Sequence, residues 1–437
     1  MDDNRVKRLT EYVEGVLEGK DGSMLYNQYK EDILKVKPQE AFEIFYNQLQ
    51  KGFSAKEILK ILDKVINVFN KSLIQYEWKE PEENSFLHTM MKENQALETK
   101  LAAIKDIIKE KDFINNKDRL LAHIEELQEF DAHYLKKENI LFPYLEKKMK
   151  KFEGLSIMWA LHDEARASLK KLIYILKSQE PSETDFNTAL TRSNSPDSID
   201  AGCQRAGKSS MDSTNIQREL NPQLNEVSFN IEIGKLFFIL YGLIYKERYI
   251  LFPAAMEVID DKEWDDMKKQ SFEYEFPFIE KPPLDKDDMP EEEDKVVKQG
   301  QELVMKTETG ELSFQQALMI FNALPVDLTY VDENNKVRFF SKPKERIFPR
   351  SPAAIGRDVK NCHPPQSVHV VEKIIDEFRK GHKDSATFWI QMKGKTILIQ
   401  YFALRDSEGQ YKGVLEVSQD ITEIRKIEGE KRLLEWQ

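Results

Sequence analysis

The sequence predicts a multidomain, mainly α protein: an N-terminal helical module, a four-helix up-and-down bundle, and a C-terminal α+β domain with an antiparallel sheet. Three observations carry this. Apolar residues recur at helical spacing along most of the chain up to about residue 270. A proline-rich, acidic stretch, PFIEKPPLDKDDMPEEED, then interrupts the pattern. Beyond Gly310 the apolar period becomes alternating, with turn residues between the runs. The boundaries read 1–80 for the module, 81–270 for the bundle, 271–310 for a linker, 311–425 for the α+β domain and 426–437 for a closing helix.

Composition narrows the class. The chain has 437 residues, a net charge of −12, 40% hydrophobic and 32% charged residues, and two cysteines, Cys203 and Cys362. That length accommodates about two to four domains with real cores. An acidic chain without a basic stripe is not a dedicated nucleic-acid binder. Two cysteines are too few for a disulfide framework. The start, MDDNRVKRL, has no apolar core of a secretory signal. The longest nearly uninterrupted apolar run, Leu236–Tyr245, is too short to span a bilayer. These readings point to a cytoplasmic protein without membrane or nucleic-acid partners.

In order along the chain, Val6, Leu9, Val13 and Val16 form a helical stripe ended by Gly19 and Asp21-Gly22. Phe42, Phe45, Tyr46 and Leu49 form a second, closed by Gly52. Ser54 with Glu57 reads as a capping box before Ile58, Leu62, Val65, Ile66 and Phe69. Bundle helices are expected over Ser85–Lys109, Lys117–Lys150 and Leu155–Leu176, with Asn115-Asn116 between the first two and Gly154 before the third. Residues 178–224, rich in Ser, Thr, Asn and Asp, read as a flexible insertion. A fourth helix starts near Phe229. A further helix is expected near Val296–Thr307. Strands follow at Asp327–Asp332 and Val337–Phe340, then a helix at Val368–Arg379, strands at Ala386–Met392, Thr396–Leu404 and Gly413–Ser418, and a charged helix at Glu423–Trp436.

The chemistry concentrates in a motif that occurs twice. HYLKKENILFP, from His133 to Pro143, has a partial echo in YKERYILFP, from Tyr245 to Pro253. Each places a glutamate, Glu138 or Glu247, just before an apolar run ending in Phe-Pro. A buried carboxylate is normally paired, protonated or bound to metal. His88, His133 and His162 lie on or beside apolar stripes of three separate helices, so the five residues make a candidate metal site inside a bundle. His123 reads as solvated. His133 and Glu138 are five residues apart, about 140° around an ideal helix. Either the metal lies to one side or a π-bulge turns Glu138 into line. Lys137, at the favourable spacing of four, cannot ligate as a cation.

HYLKKENILFPYLEKK, IYKERYILFPAAMEVI, MWALHDEARASLKKL and LHTMMKENQALE resemble the hemerythrin-like, HHE cation-binding family over roughly Glu82–Met267. The resemblance implies a four-helix bundle holding non-haem iron, often a di-iron centre. The match departs from the family at Lys137, where many members have the ligating glutamate, at Ser85, where members of this architecture often have histidine, and in the last helix, which offers Glu247 without a histidine one turn earlier. It therefore implies one or two irons in an asymmetric site held by His88, His133, Glu138, His162 and Glu247. The N-terminal module resembles a helical domain that commonly precedes such bundles. FNALPVDLTYVDENNKVRFFS, GRDVKNCHPPQSVHVVEKIIDEFRKG and GVLEVSQDITEIR resemble a PAS domain over about Leu312–Arg425. That resemblance implies ligand or redox sensing and dimerisation, with His363 a candidate haem ligand and any other PAS ligand unknown.

The expectation is a cytoplasmic iron-binding sensor responding to oxygen, nitric oxide, or redox or iron state. Its output passes through a homodimer, formed by the PAS domain or terminal helices, or through another signalling partner. The alternatives are a di-iron redox enzyme or iron–sulfur-repair-like protein, and a metal-free interaction scaffold.

Overall fold

The computed structural model describes residues 2–177, 222–283, 304–363 and 367–430. The chain divides into two units, Met1–Met289 and Pro290–Gln437.

Four helices open the first unit: α1 (Asp3–Leu17), α2 (Gly22–Ile33), α3 (Pro38–Gln50) and α4 (Ala55–Ile74). Three of them start where a side-chain oxygen accepts a free backbone N–H: Asp2 from Arg5, Asp21 from Met24 and Ser54 from Glu57. Ser54 and Glu57 form the expected capping box. Gly22, read as part of a helix end, instead begins α2, because Asp21 caps it.

The bundle follows. α5 (Phe86–Lys109) is capped by Ser85. The second helix is an interrupted one. It comprises α6 (Phe113–Glu126), a 3-10 turn (Leu127–Phe130), α7 (Asp131–Lys136), a π-turn (Lys137–Leu141) and α8 (Phe142–Lys148). Asn115 and Asn116 lie inside α6 rather than between helices, since Asp112 caps it one turn earlier than expected. α9 spans Ser156–Lys177. α10 (Pro222–Lys246) runs through a second π-turn (Glu247–Leu251) into α11 (Phe252–Met256). α12 (Asp261–Ser271), with its own capping box, closes the unit.

Both π-turns precede the repeated Phe-Pro. Pro143 and Pro253 have no N–H for the carbonyl four residues back, and their rings crowd it. A locally wider turn relieves this without ending the helix.

The buried side chains of α1–α4 and of the bundle form a single cluster. α3 packs on the 3-10 segment Lys150–Leu155, with Phe42 edge-on to Phe152 at 5.2 Å between ring centres, and α4 packs on α9. The segment Glu226–Met256 is 31 residues long and, by length and composition only, apolar enough to cross a membrane. Here it is the last bundle helix. Its Glu232, Lys246 and Glu247 bond to Ser168, Asp63 and His133 within the unit.

In the second unit, the helix expected near Val296–Thr307 is replaced, over its described residues, by strand β1 (Val304–Thr307), which pairs with β2 (Gly310–Ser313) across a two-residue turn. The β-prone Val304 and Thr307 and the turn-forming Gly310 outweigh the helical spacing. Residues 296–303 lie outside the described residues. After α13 (Phe314–Ala323) come β3 (Asp327–Asp332), β4 (Val337–Phe340), α14 (Val368–Arg379), β5 (Ser385–Met392), β6 (Lys395–Arg405) and β7 (Tyr411–Asp420). These five strands form an antiparallel sheet of order β4-β3-β7-β6-β5. Val371, Ile375 and Phe378 of α14 share its core with Val331, Val337, Ile397, Ile399, Tyr401 and Val414. Gly413 allows the β3–β7 pairing. Its φ is +129°, and a Cβ there would lie 2.1 Å from the Val331 carbonyl oxygen.

Two expectations meet the limits of the described residues. The insertion at 178–224 lies outside them except for 222–224, which begin α10. The closing helix appears only as a 3-10 turn, Ile424–Lys426, with Gly429 at φ +67° beyond it; residues 431–437 lie outside.

Candidate functional site

The apolar stripe of α5 reads Met90, Leu97, Leu101, Ile104, and Glu93 and Asn94 lie within it, fully buried. Opposite stand His133 and Lys136 of α7, Lys137 and Glu138 of the first π-turn, His162 of α9 and Glu247 of the second π-turn, each no more than 2% exposed. Every helix of the bundle thus contributes an ionisable group to its interior.

These groups form two sets. In the first, His133 bridges two carboxylates: Nδ1 lies 2.8 Å from Glu93 Oε2 and Nε2 lies 2.9 Å from Glu247 Oε2. Lys136 donates to the other Glu93 oxygen and to the Glu275 carbonyl, and Lys137 donates to the other Glu247 oxygen. Asn94 Nδ2 donates to Glu247 Oε2 at 2.8 Å. In the second set, Glu138 Oε1 lies 2.8 Å from His162 Nδ1, and Arg166 grips both Glu138 oxygens at 3.0 and 3.1 Å. Arg166 Nε also donates to Asp131 at 2.6 Å. The Tyr134 ring lies between the sets, stacked on His162 at 4.4 Å, with Lys137 Nζ 5.0 Å from its centre.

Burial pushes the Glu247 carboxyl up, but Lys137 and His133 outweigh it and hold the group well below the usual carboxylate range. Burial pulls the Lys136 and Lys137 ammoniums down, opposed by Glu93 and Glu247. His162 is held well below its ordinary value by burial, then by Lys137 and Arg166, so its imidazole is neutral. Its Nε2 is buried with no hydrogen-bond partner. Asp163 is pushed up to about 6 by burial, against Arg166.

The structure therefore joins His133 with Glu247 and His162 with Glu138. It does not bring His88 to either pair. His88 sits on the first turn of α5, partly exposed, its Nδ1 accepting the Asn84 N–H at 3.0 Å. With Glu93 facing the interior, a residue five earlier points about 140° away. His123 is partly exposed beside Glu126, as expected. Both Lys137 and Glu138 face inward across the π-turn, so the bulge does turn Glu138 toward the core but brings a lysine with it. Glu93, Lys136, Lys137 and Arg166 were not among the predicted site residues. Only Glu93 carried a plain signal, its place in the stripe of α5.

In the second unit, His363 lines a small cavity of about 20 Å³ with Val331, Val359, Val371, Tyr401 and Glu416. Burial pushes its imidazole to about 4. Glu416 pairs with Arg350 at 3.1 Å, and Arg350 Nε is buried without a partner. Burial raises the Tyr401 hydroxyl well above its usual range. Ligand pockets usually measure roughly 300–1,000 Å³, and this cavity as packed has room for about one water-sized molecule. His369 is exposed on α14.

A four-helix bundle with an ionisable interior and an α+β unit with a five-stranded antiparallel sheet define the architecture. Residues 85–193 match the hemerythrin HHE cation binding domain, and residues 318–422 match a PAS domain. Each match covers about a quarter of the chain, and the hemerythrin match stops short of the fourth bundle helix. It is similar to a C-terminal domain from Streptococcus mutans at 32% identity, covering 28% of this chain and 96% of that one, with a TM-score of 0.27. It is also similar to the PAS domain of a Colwellia psychrerythraea protein at 20% identity, covering 25% of this chain and 97% of that one, with a TM-score of 0.21. No curated protein matches the chain.

The hemerythrin match implies a cation, typically iron. The residues as placed do not fit one. Among the described residues no three His, Cys, Asp or Glu side chains converge as a metal-binding group. Both His133 nitrogens face carboxylates, and Glu93, Glu138 and Glu247 each contact a lysine or arginine. His162 Nε2, Asn94 Oδ1 and Asp163 Oδ2 are buried there without a hydrogen-bond partner.

Proposed function

We propose that the protein is a cytoplasmic sensor whose PAS domain takes a small polar molecule beside His363, Tyr401 and Glu416. The observation that carries this is a cluster of ionisable groups around a cavity in an otherwise apolar core. Buried polar groups cost free energy unless bonded, and Arg350 Nε offers an acceptor-seeking contact with no protein partner. A second copy of the chain receives the signal through α13. This helix buries none of its residues and exposes Phe314, Met319 and Ile320.

The test uses the full chain. Protein purified without oxygen is denatured, and released small molecules are identified by mass spectrometry, with Glu416→Gln alongside. A compound released by the wild type and lost from Glu416→Gln supports the reading. Release of nothing, with no stabilisation of the PAS transition by a panel of small carboxylic acids and alcohols, would sink it. Light scattering should show a dimer that Met319→Glu weakens.

The competing reading places the stimulus at non-haem iron held by His133, Glu138, His162 and Glu247, with oxygen, nitric oxide or iron supply as the signal. The neutral His162 imidazole favours it, since one nitrogen fixed on a carboxylate and the other free is how metal-ligating histidines are set. Iron analysis and an optical spectrum of anaerobic protein separate the two readings.

A further inference from the structure

We infer that the bundle interior supplies its own cation. Lys137 takes the place of a divalent metal, and the wild-type bundle excludes one. Both oxygens of Glu93, Glu138 and Glu247 already have protein partners within hydrogen-bond distance. Glu93 has Lys136 and His133. Glu138 has His162 and Arg166. Glu247 has Lys137, His133 and Asn94. Each of these three carboxylates also has a cation beside it. Lys136 stands against Glu93, Lys137 against Glu247, and Arg166 against Glu138, Asp131 and Asp163.

A divalent cation would add two positive charges to this interior. An uncompensated buried charge is strongly unfavourable. The cation would also have to take Glu247 from Lys137, leaving a fully buried ammonium beside the Tyr134 ring. The buried atoms left without a partner there are His162 Nε2, Asn94 Oδ1 and Asp163 Oδ2, and among the described residues no three His, Cys, Asp or Glu side chains converge as a ligand set. The inference goes beyond the sensory reading of the PAS domain and does not depend on it.

Exclusion by Lys137 has a sharp consequence. Lys137→Glu changes the interior by two negative charges, the complement of a divalent cation, and adds a carboxylate beside Glu247. The substituted chain should gain a metal site. The test is a titration of full-length, chelator-treated protein with Co²⁺, read by visible absorption and by the melting midpoint of the helical unit. Wild type should show neither a ligand-field band nor a midpoint shift. Lys137→Glu should show both and bind Co²⁺ roughly tenfold or more tightly than wild type. Stoichiometric Co²⁺ binding by wild type that His162→Ala abolishes would overturn the inference. So would a folded Lys137→Glu chain that binds no better than wild type. If Lys137→Glu does not fold, Lys137→Gln removes the positive charge with little change in shape. Co²⁺ should then raise its midpoint, and failure to do so overturns the role of Lys137. The wild-type titration decides metal exclusion by itself.

Discussion

Lys137 and Glu247, 110 residues apart in sequence, form an ion pair in the centre of the bundle, with the lysine wholly buried and the glutamate 1% exposed. The second Glu247 oxygen meets His133 at 2.9 Å. Removing one partner leaves the other charged and enclosed, and such a loss costs about 3–5 kcal/mol. Lys137→Met should therefore destabilise the helical unit by roughly that amount in urea unfolding. Lys137→Met with Glu247→Leu should recover a large part of it. Equal losses in the single and double variants would show that the pair does not act as a unit.

Arg166 holds Glu138 through two parallel contacts and Asp131 through Nε. A lysine keeps the charge but not the fork. Arg166→Lys should lose about 1–3 kcal/mol of stability, from hydrogen bonds to charged groups that a single ammonium cannot replace. Chemical denaturation measures it, and a neutral outcome would make the guanidinium geometry incidental.

The PAS domain should weaken in mild acid. Burial depresses the His363 imidazole from 6.5 to about 4, so the unfolded chain takes up this proton first. The contribution is full above pH 6.5, is lost as the pH falls toward 4, and amounts to about 3 kcal/mol over that range. Asp327, raised by burial, acts in the opposite sense. The comparison that isolates the effect is wild type against His363→Asn, whose PAS transition should depend less on pH between 6.5 and 4. Parallel pH profiles would count against it.

The N-terminal helices and the bundle share one buried cluster, with Phe42 against Phe152 at their junction. Phe42→Ala should cost about 3–5 kcal/mol. It should lower a single unfolding transition for the whole helical unit rather than split off an early one. Two separate transitions in the wild type, detected by calorimetry, would mean that the junction does not couple the two parts.

Ser54 caps α4 together with Glu57. Ser54→Ala should lose about 1 kcal/mol, readable as a shift in the urea midpoint without a change in slope.

Much of this protein is set locally and can be read from the chain. The capping box at Ser54, the start of α5 at Ser85, the bounds of α14 and the strands of the PAS sheet follow from neighbouring residues and from helical or alternating period. The five-residue spacing of His133 and Glu138 raised a π-bulge as one of two alternatives in the first motif, and the structure has a π-turn in each motif. Periodicity marked His133, His162, Glu138 and Glu247 as on or beside apolar stripes, and His88 too, which the structure leaves partly exposed.

What the tertiary structure decided is which charges meet. A lysine at a helical position reads as solvent-exposed, because burying an ammonium alone is prohibitive, and no acidic residue stands three or four positions from Lys137 in sequence. Glu247 arrives from another helix, as Glu93 does for Lys136 and Glu138 for Arg166. An ion pair has no sequence period. Its favourable energy exists only once two remote groups lie within a few ångströms in a medium of low dielectric, and the packing of four helices creates that condition.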